Sequence, residues 1–83
     1  MISIRVLFFG KLADLVQEAE FHYEIEPGTR VVDFYQQFTS HSQLPPLEQK
    51  PNIKIAINQQ LGNWNQQLSP GDELAFLPPV TGG

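Results

Sequence analysis

The amino-acid sequence predicts a two-layer α+β domain, in which one main helix covers one face of a mixed four- or five-stranded sheet. Several segments rich in β-branched and aromatic residues alternate in polarity, as strands with one buried face do. One segment near the middle instead has apolar residues at helical spacing. The 83 residues are enough for one domain with one modest core.

The first part of the chain predicts a strand, a short helix and a second strand. Residues 2–9 (ISIRVLFF) indicate a strand whose second half is apolar on both faces, as expected of a central strand. Gly10 ends it, and residues 11–17 (KLADLVQ) have the spacing of a short helix. Residues 20–26 (EFHYEIE) alternate as a half-buried strand, which we expect to form a hairpin with the first.

The main helix is predicted at residues 30–42, with Thr29 as its N-cap. Its apolar residues recur at i, i+3, i+4 and i+7 and form a stripe on one side: Val31, Phe34, Tyr35 and Phe38. A loop with three prolines follows the helix. The stripe therefore predicts the side of the helix that packs on the sheet.

The second half predicts the remaining strands. Residues 53–58 (IKIAIN) alternate as a strand, a short edge strand is expected near Leu61, and residues 73–77 (ELAFL) form the last strand. Pro78 and Pro79 end that strand, because proline cannot donate to a sheet ladder. The resulting order of elements is that of the β-grasp, the architecture of ubiquitin, with residues 1–79 as the domain and 80–83 as a flexible tail.

Strand parity predicts which side chains face the helix and which lie on the open face of the sheet. The helix-facing set is Ile2, Ile4, Val6, Phe8, Phe21, Tyr23, Ile25, Ile53, Ile55, Ile57, Leu74 and Phe76. The open-face set is Arg5, Leu7, Phe9, His22, Glu24, Lys54, Ala56 and Leu77.

Three open-face residues, Leu7, Phe9 and Leu77, are large and apolar, and Leu61 is expected near them. An exposed apolar patch on a small domain usually marks an interface, so this set predicts a docking surface beside the start of the tail. The alternative is that residues 59–72, including Trp64, fold over part of the patch.

The composition argues against several classes of partner and site. The net charge of −4, from nine acidic and five basic residues, argues against nucleic acid. There is no cysteine, so disulfides, thiolate metal sites and a cysteine nucleophile are excluded. The opening segment MISIRVLFFGKL is too short to span a bilayer and contains Arg5, so we expect no membrane association and a cytoplasmic location.

No catalytic constellation is evident before the tail. His22 and His41 have no recognisable metal-ligand spacing, and no G-x-S-x-G or Gly-rich phosphate loop occurs. Asp72 and Glu73 could form a catalytic carboxylate pair, but such a pair after a Pro-Gly turn is more typical of a solvated turn. We therefore expect no bound cofactor and no metal.

The last residues, AFLPPVTGG, present a different chemistry. Pro78 and Pro79 favour an extended backbone, and the last four residues can carry a terminal carboxylate about 13 Å beyond the body. Gly82 and Gly83 have no side chain and can enter a channel where a Cβ would clash. Either the Gly83 carboxylate is the working group, or the glycines are a frayed end.

Three stretches, VLFFGKLADLV, IAINQQ and SPGDELAFLPPVTGG, resemble the ubiquitin-like sulfur carriers of the MoaD/ThiS type, above all the small subunits of molybdopterin synthase. The resemblance covers the whole chain, and its closing stretch is the most specific. The residue-level reading agrees on one point: without cysteine, the chain cannot carry sulfur as a persulfide.

The resemblance implies a carrier subunit rather than a catalyst. A ubiquitin-activating-enzyme-like adenylyltransferase would consume ATP to adenylate the Gly83 carboxylate, and a sulfur donor protein would convert it to a thiocarboxylate. The large subunit would then transfer the sulfur to cyclic pyranopterin monophosphate, in a heterotetramer of two small and two large subunits. The residues expected to contact partners are Phe9, Leu61, Leu77, Pro78, Pro79, Val80, Thr81 and Gly82.

Two alternatives share this fold and ending. One is a sulfur carrier of the thiamine pathway, although the ending FLPPVTGG favours the molybdopterin type. The other is a ubiquitin-like protein modifier or a binding module.

Overall fold

A computed structural model describes residues 1–16, 19–40, 44 and 52–78. Within these residues five strands form one mixed sheet and one main helix covers it, which confirms the predicted α+β architecture. The elements in chain order are β1 (Ile2–Phe8), α1 (Lys11–Leu15), β2 (Glu20–Ile25), α2 (Val31–Thr39), β3 (Lys54–Ile57), β4 (Gln60–Leu61) and β5 (Glu73–Leu77).

The sheet has the order β2-β1-β5-β3-β4. Strand β1 is antiparallel to β2, as the hairpin prediction requires, and parallel to β5. Strand β5 is antiparallel to β3, which forms a hairpin with β4. The first and last strands are therefore central neighbours, and the point where β5 ends lies beside the end of β1.

The core lies between the sheet and α2, and the parity prediction for its side chains is confirmed. Nine of the predicted helix-facing residues are buried, and the other three, Ile2, Phe21 and Tyr23, are partly buried and packed against them. Aromatic rings dominate the interface: Phe8 stacks on Phe76 with ring centroids 5.0 Å apart and on Phe38 at 5.6 Å. Such pairs contribute beyond the area that they bury.

Helix α2 begins one residue later than predicted, and its predicted N-cap is wrong. The hydroxyl of Thr29 donates to the Glu26 carbonyl at 2.7 Å and so closes the preceding turn instead of capping the helix. Arg30 occupies the cap position, where its backbone N–H donates to Asp33 Oδ2 at 3.3 Å.

A loop distant in the sequence accepts hydrogen bonds from the free backbone N–H groups in the first turn of α2. The N–H of Val31 donates to the Gln66 carbonyl at 3.0 Å, and the N–H of Val32 donates to the Trp64 carbonyl at 2.8 Å. These are N–H groups that a helix cannot satisfy by itself. Backbone carbonyls from residues 62–68 thus take the place of a side-chain cap.

The described helix ends at Thr39, not at residue 42 as predicted. The Thr39 hydroxyl donates to the Gln36 carbonyl at 3.1 Å, and the Ser40 hydroxyl donates to the Gln37 carbonyl at 2.7 Å. Such local bonds satisfy carbonyls in the last turn, where no further N–H is available. Residues 41 and 42 lie outside the described residues.

The other boundaries differ from the predictions by no more than one residue at either end of each strand, and the edge strand at Leu61 is confirmed. The short helix spans Lys11–Leu15, and residue 17 of its predicted range is not described. No helix in the described part of the chain is long and apolar enough to cross a membrane.

Candidate docking face and tail root

The open face of the sheet is organised in rows that the strand register defines. One row crosses the sheet from Leu7 through Ala75 and Ala56 to Leu61. A second row lies at the end where the tail begins. There the N–H of Phe9 donates to the Phe76 carbonyl at 3.1 Å, which places Phe9 beside Leu77, and Leu77 pairs with Lys54.

The apolar residues of these two rows form the apolar patch. We define it as Leu7, Phe9, Ala56, Leu61, Ala75 and Leu77. Leu61 is 83% exposed and Phe9 is 45% exposed, as predicted. Leu7 and Leu77 are half-buried, and the small side chains of Ala56 and Ala75 lie between the larger ones. The patch therefore combines a low centre with larger apolar side chains around it, a shape into which a partner's side chains can pack.

Trp64 does not cover this patch. Its ring centroid lies 5.1 Å from that of Tyr35 and 6.2 Å from that of Phe76, and both of these residues belong to the buried core. Trp64 therefore packs on the helix side of the sheet. The alternative in which it folds over the open face is wrong, and Leu61 stays exposed.

Arg5 forms the polar border of the apolar patch. Its Nε donates to Glu20 Oε2 at 2.7 Å, and its Nη1 donates to Glu73 Oε1 at 3.3 Å. The three residues lie on neighbouring strands, so one guanidinium joins β2, β1 and β5. Exposed ion pairs contribute only about 0–1 kcal/mol each, so the network matters more as a boundary than for stability.

Asp72 and Glu73 are engaged in structural contacts rather than arranged as a catalytic pair. Asp72 accepts hydrogen bonds from the Asn58 amide at 3.0 Å and from the Ser69 backbone N–H at 2.7 Å. Asn58 begins the turn between β3 and β4 with φ 53°, and Gln59 follows with φ 69°, as in a two-residue hairpin turn. This turn holds Leu61 opposite Ala56.

The chain leaves strand β5 at Pro78, beside Gly10. Gly10 has φ 58°, and its carbonyl accepts the Ala13 N–H at 3.1 Å, which starts α1. A Cβ added to Gly10 would lie 2.9 Å from Cγ of Pro78. The proline ring is therefore seated directly on the backbone of Gly10. We call this contact the tail root.

Four of the predicted partner-binding residues are described: Phe9, Leu61, Leu77 and Pro78. Phe9, Leu77 and Pro78 lie at the tail root or beside it, whereas Leu61 lies on the open face at the edge strand β4. The other four predicted partner-binding residues lie outside the described residues: Pro79, Val80, Thr81 and Gly82. The carboxylate of Gly83 also lies outside them.

Titratable groups in the described residues do not gather into a catalytic or metal site. No group of three or more His, Cys, Asp or Glu among them could hold a metal ion. His22 is exposed, and His41 is not described. Burial raises the pKa of Tyr35 from 10.0 to about 12, but this side chain lies in the core and away from the open face.

Comparison with known proteins supports the family resemblance. A family model described as the ThiS family matches residues 6–83. The chain belongs to the ThiS family. The molybdopterin synthase sulfur carrier subunit of Mycobacterium tuberculosis (strain ATCC 25618 / H37Rv) is 32% identical to it, and the match covers 100% of both chains. The protein of the same name from Escherichia coli (strain K12) is 35% identical over 96% of this chain and 99% of its own.

A solved structure extends the comparison. It is the complex of subunits 1 and 2 of the molybdopterin-converting factor from Helicobacter pylori 26695. The matching chain is 26% identical, with a TM-score of 0.63, and the match covers 99% of this ThiS-family chain and 100% of that one. The β-grasp fold predicted from the element order is thereby confirmed.

Two features of this ThiS-family chain were missed by sequence reasoning. The first is the Arg5 network, because Arg5 and Glu73 are 68 positions apart and only the parallel pairing of β1 with β5 joins them. The second is the tail root, because the sequence indicates Gly10 only as a strand end. The signal that could have found it is the same pairing, which brings Gly10 and Pro78 together once β1 and β5 are aligned.

Proposed function

We propose that this chain is the sulfur carrier subunit of a molybdopterin synthase, and that the carboxylate of Gly83 is the group that carries sulfur. The observation that carries the proposal is the family match, which extends through the terminal Gly-Gly to residue 83. Relatives that match over their full length are named as such subunits, and the absence of cysteine leaves no thiol to carry sulfur.

The chemistry starts from a carboxylate that is ionised at neutral pH and is a poor electrophile. An adenylyltransferase resembling the ubiquitin-activating enzymes joins it to AMP from ATP, with pyrophosphate as the leaving group. A sulfur donor protein then supplies sulfur at the oxidation level of sulfide, which attacks the acyl carbon and displaces AMP, so that the terminus becomes a thiocarboxylate. In the large subunit this sulfur passes to cyclic pyranopterin monophosphate. The chain binds no cofactor itself, and the active site lies on its partner.

The apolar patch docks both partners in this proposal. The Helicobacter pylori complex supports a large subunit as one of them, since its matching chain is bound to a second subunit. A heterotetramer of two small and two large subunits in the cytoplasm completes the proposal. Docking on the open face would leave the tail root at the edge of the interface, from which the tail can reach a neighbouring active site.

The test uses the length of the tail. Removing Gly83 withdraws the carboxylate by roughly 3.3 Å, and a misplacement of about 1 Å can cost on the order of 100-fold in rate. We expect this deletion, one alanine added after Gly83, and Gly82→Val each to abolish sulfur transfer while folding and partner binding are kept. The assay is conversion of cyclic pyranopterin monophosphate by the large subunit and the thiocarboxylated chain, and an alanine added before Met1 is the matched control.

Comparable conversion by the chain lacking Gly83 would refute the proposal. Intact mass of the chain from its own cells provides a second measurement, in which one oxygen of the last residue is replaced by sulfur. Delivery to thiazole synthesis instead of the pterin would identify the thiamine-pathway carrier, and isopeptide bonds to lysines of many proteins would identify a modifier.

A further inference from the structure

At the tail root, Pro78 lies closer to the backbone of Gly10 than the end of a strand requires. If Gly10 carried a side chain, its Cβ would lie 2.9, 3.6 and 3.9 Å from Cγ, Cδ and Cβ of Pro78. Carbon atoms in ordinary contact lie about 3.5–4.0 Å apart, so the ring would have to withdraw by about 0.6–1.1 Å. Hydrogen bonds hold the backbone on both sides of the contact. The N–H of Phe9 donates to the Phe76 carbonyl, and the N–H of Ala13 donates to the Gly10 carbonyl.

Conformation alone does not distinguish Gly10. Gly28 and Gly71 also have positive φ, 89° and 81°, but a Cβ on either would meet nothing within 4 Å. Among the described glycines with positive φ, Gly10 alone faces another part of the chain at close range. That part is the residue from which the tail continues.

We infer that Gly10 is a positioning residue, whose missing side chain seats Pro78 and so sets the direction of the backbone at Pro78, from which the chain continues. Pro78 donates no hydrogen bond to β1, so the ladder cannot fix this direction beyond Leu77. Packing against Gly10 fixes it instead. The expectation that this direction affects a reaction rate rests on the proposed function. The inference that the contact between Gly10 and Pro78 sets the direction does not rest on it.

The contact itself is measured in the free chain. Proton–proton NOEs between Gly10 Hα and the ring of Pro78 are expected in the unmodified protein, and their absence would overturn the inference whatever the protein does. This measurement needs no variant and no partner.

The effect on function is measured by a double-mutant cycle. We expect Gly10→Ala to lower kcat for adenylation by about 10-fold or more, with KM changed less than about 2-fold, because the docking face is intact. Pro78→Ala removes the two nearest ring atoms. In that background, adding Gly10→Ala should lower kcat by less than about 3-fold, since the collision is gone.

The controls distinguish the collision between a side chain at position 10 and Pro78 from the backbone strain of any side chain at a positive φ. Gly71→Ala introduces a side chain at a positive φ with open space around it, so kcat should stay close to that of the unmodified chain. Equal losses from Gly10→Ala in both backgrounds, or equal losses from Gly10→Ala and Gly71→Ala, would overturn the inference. If Gly10→Ala fails to fold, Pro78→Ala decides: loss of the seat should lower kcat by a larger factor than it raises KM. A raised KM with kcat nearly unchanged would show only a lost partner contact and would overturn the inference. Failure of the unmodified chain to be adenylated would instead refute the proposed function.

Discussion

Phe34 is a fully buried member of the aromatic core between the helix and the sheet. Its ring centroid lies 5.3 Å from Tyr23, 5.6 Å from Phe38 and 6.2 Å from Phe76. Phe34→Ala should lower the free energy of unfolding by about 3–5 kcal/mol, a large share of the roughly 5–15 kcal/mol that such domains have. Urea unfolding measures it, with the exposed Gln37→Ala on the same helix as control. Equal midpoints for the two variants would contradict this packing.

Tyr35 makes stability depend on pH in the alkaline range. Burial raises its pKa from 10.0 to about 12, so folding favours the neutral phenol. The corresponding stability is fully present below about pH 10 and is lost as the pH rises toward about 12. Urea midpoints across this range should fall in the unmodified chain and in Tyr23→Phe, and fall less in Tyr35→Phe. A loss of the same size in Tyr35→Phe would assign it to other groups.

At the scale of elements, one charge introduced on the open face of the sheet should weaken its binding to partners. Leu77 lies between Phe9 and Lys54 in the row nearest the tail. Leu77→Asp should weaken binding to both proposed partners, the adenylyltransferase and the large subunit, because a carboxylate would be desolvated in an apolar contact. Pull-down with each partner measures it, and Gln36→Asp, exposed on the helix layer, adds the same charge elsewhere. Unchanged binding of either partner would show that the patch is not shared.

The strands and the core-facing set followed from the sequence because polarity alternates within each strand, as in Phe21, Tyr23 and Ile25. Contacts between distant segments leave no such local pattern. The start of α2 depends on carbonyls of Trp64 and Gln66, more than 30 positions away, and Thr29 therefore looked like a cap. The apolar patch was predictable from parity. The tail root was not, because it needs the register of β1 against β5.

At the scale of the whole molecule, Met1 and Pro78 are separated by the length of the central strands. Strand β1 has seven residues, or about 23 Å at 3.3 Å per residue, and Met1 and Pro78 lie beyond opposite ends of the β1–β5 pair. A folded protein fused before Met1 should therefore leave sulfur transfer within a few-fold of the unmodified chain, whereas the same fusion after Gly83 should abolish it. Equal rates for both fusions would contradict a working group at the terminus.

The parallel pairing of β1 with β5 also determines how the domain responds to force. A pull between Met1 and Pro78 would drag two neighbouring strands past each other, so the hydrogen bonds between Arg5–Phe8 and Glu73–Phe76 would bear the load together. Bonds loaded side by side must yield at once, whereas a hairpin pulled open from its ends loses them one by one. A pull on Pro78 along β5, with the domain held at Met1, therefore loads this strand pair in shear rather than opening it bond by bond.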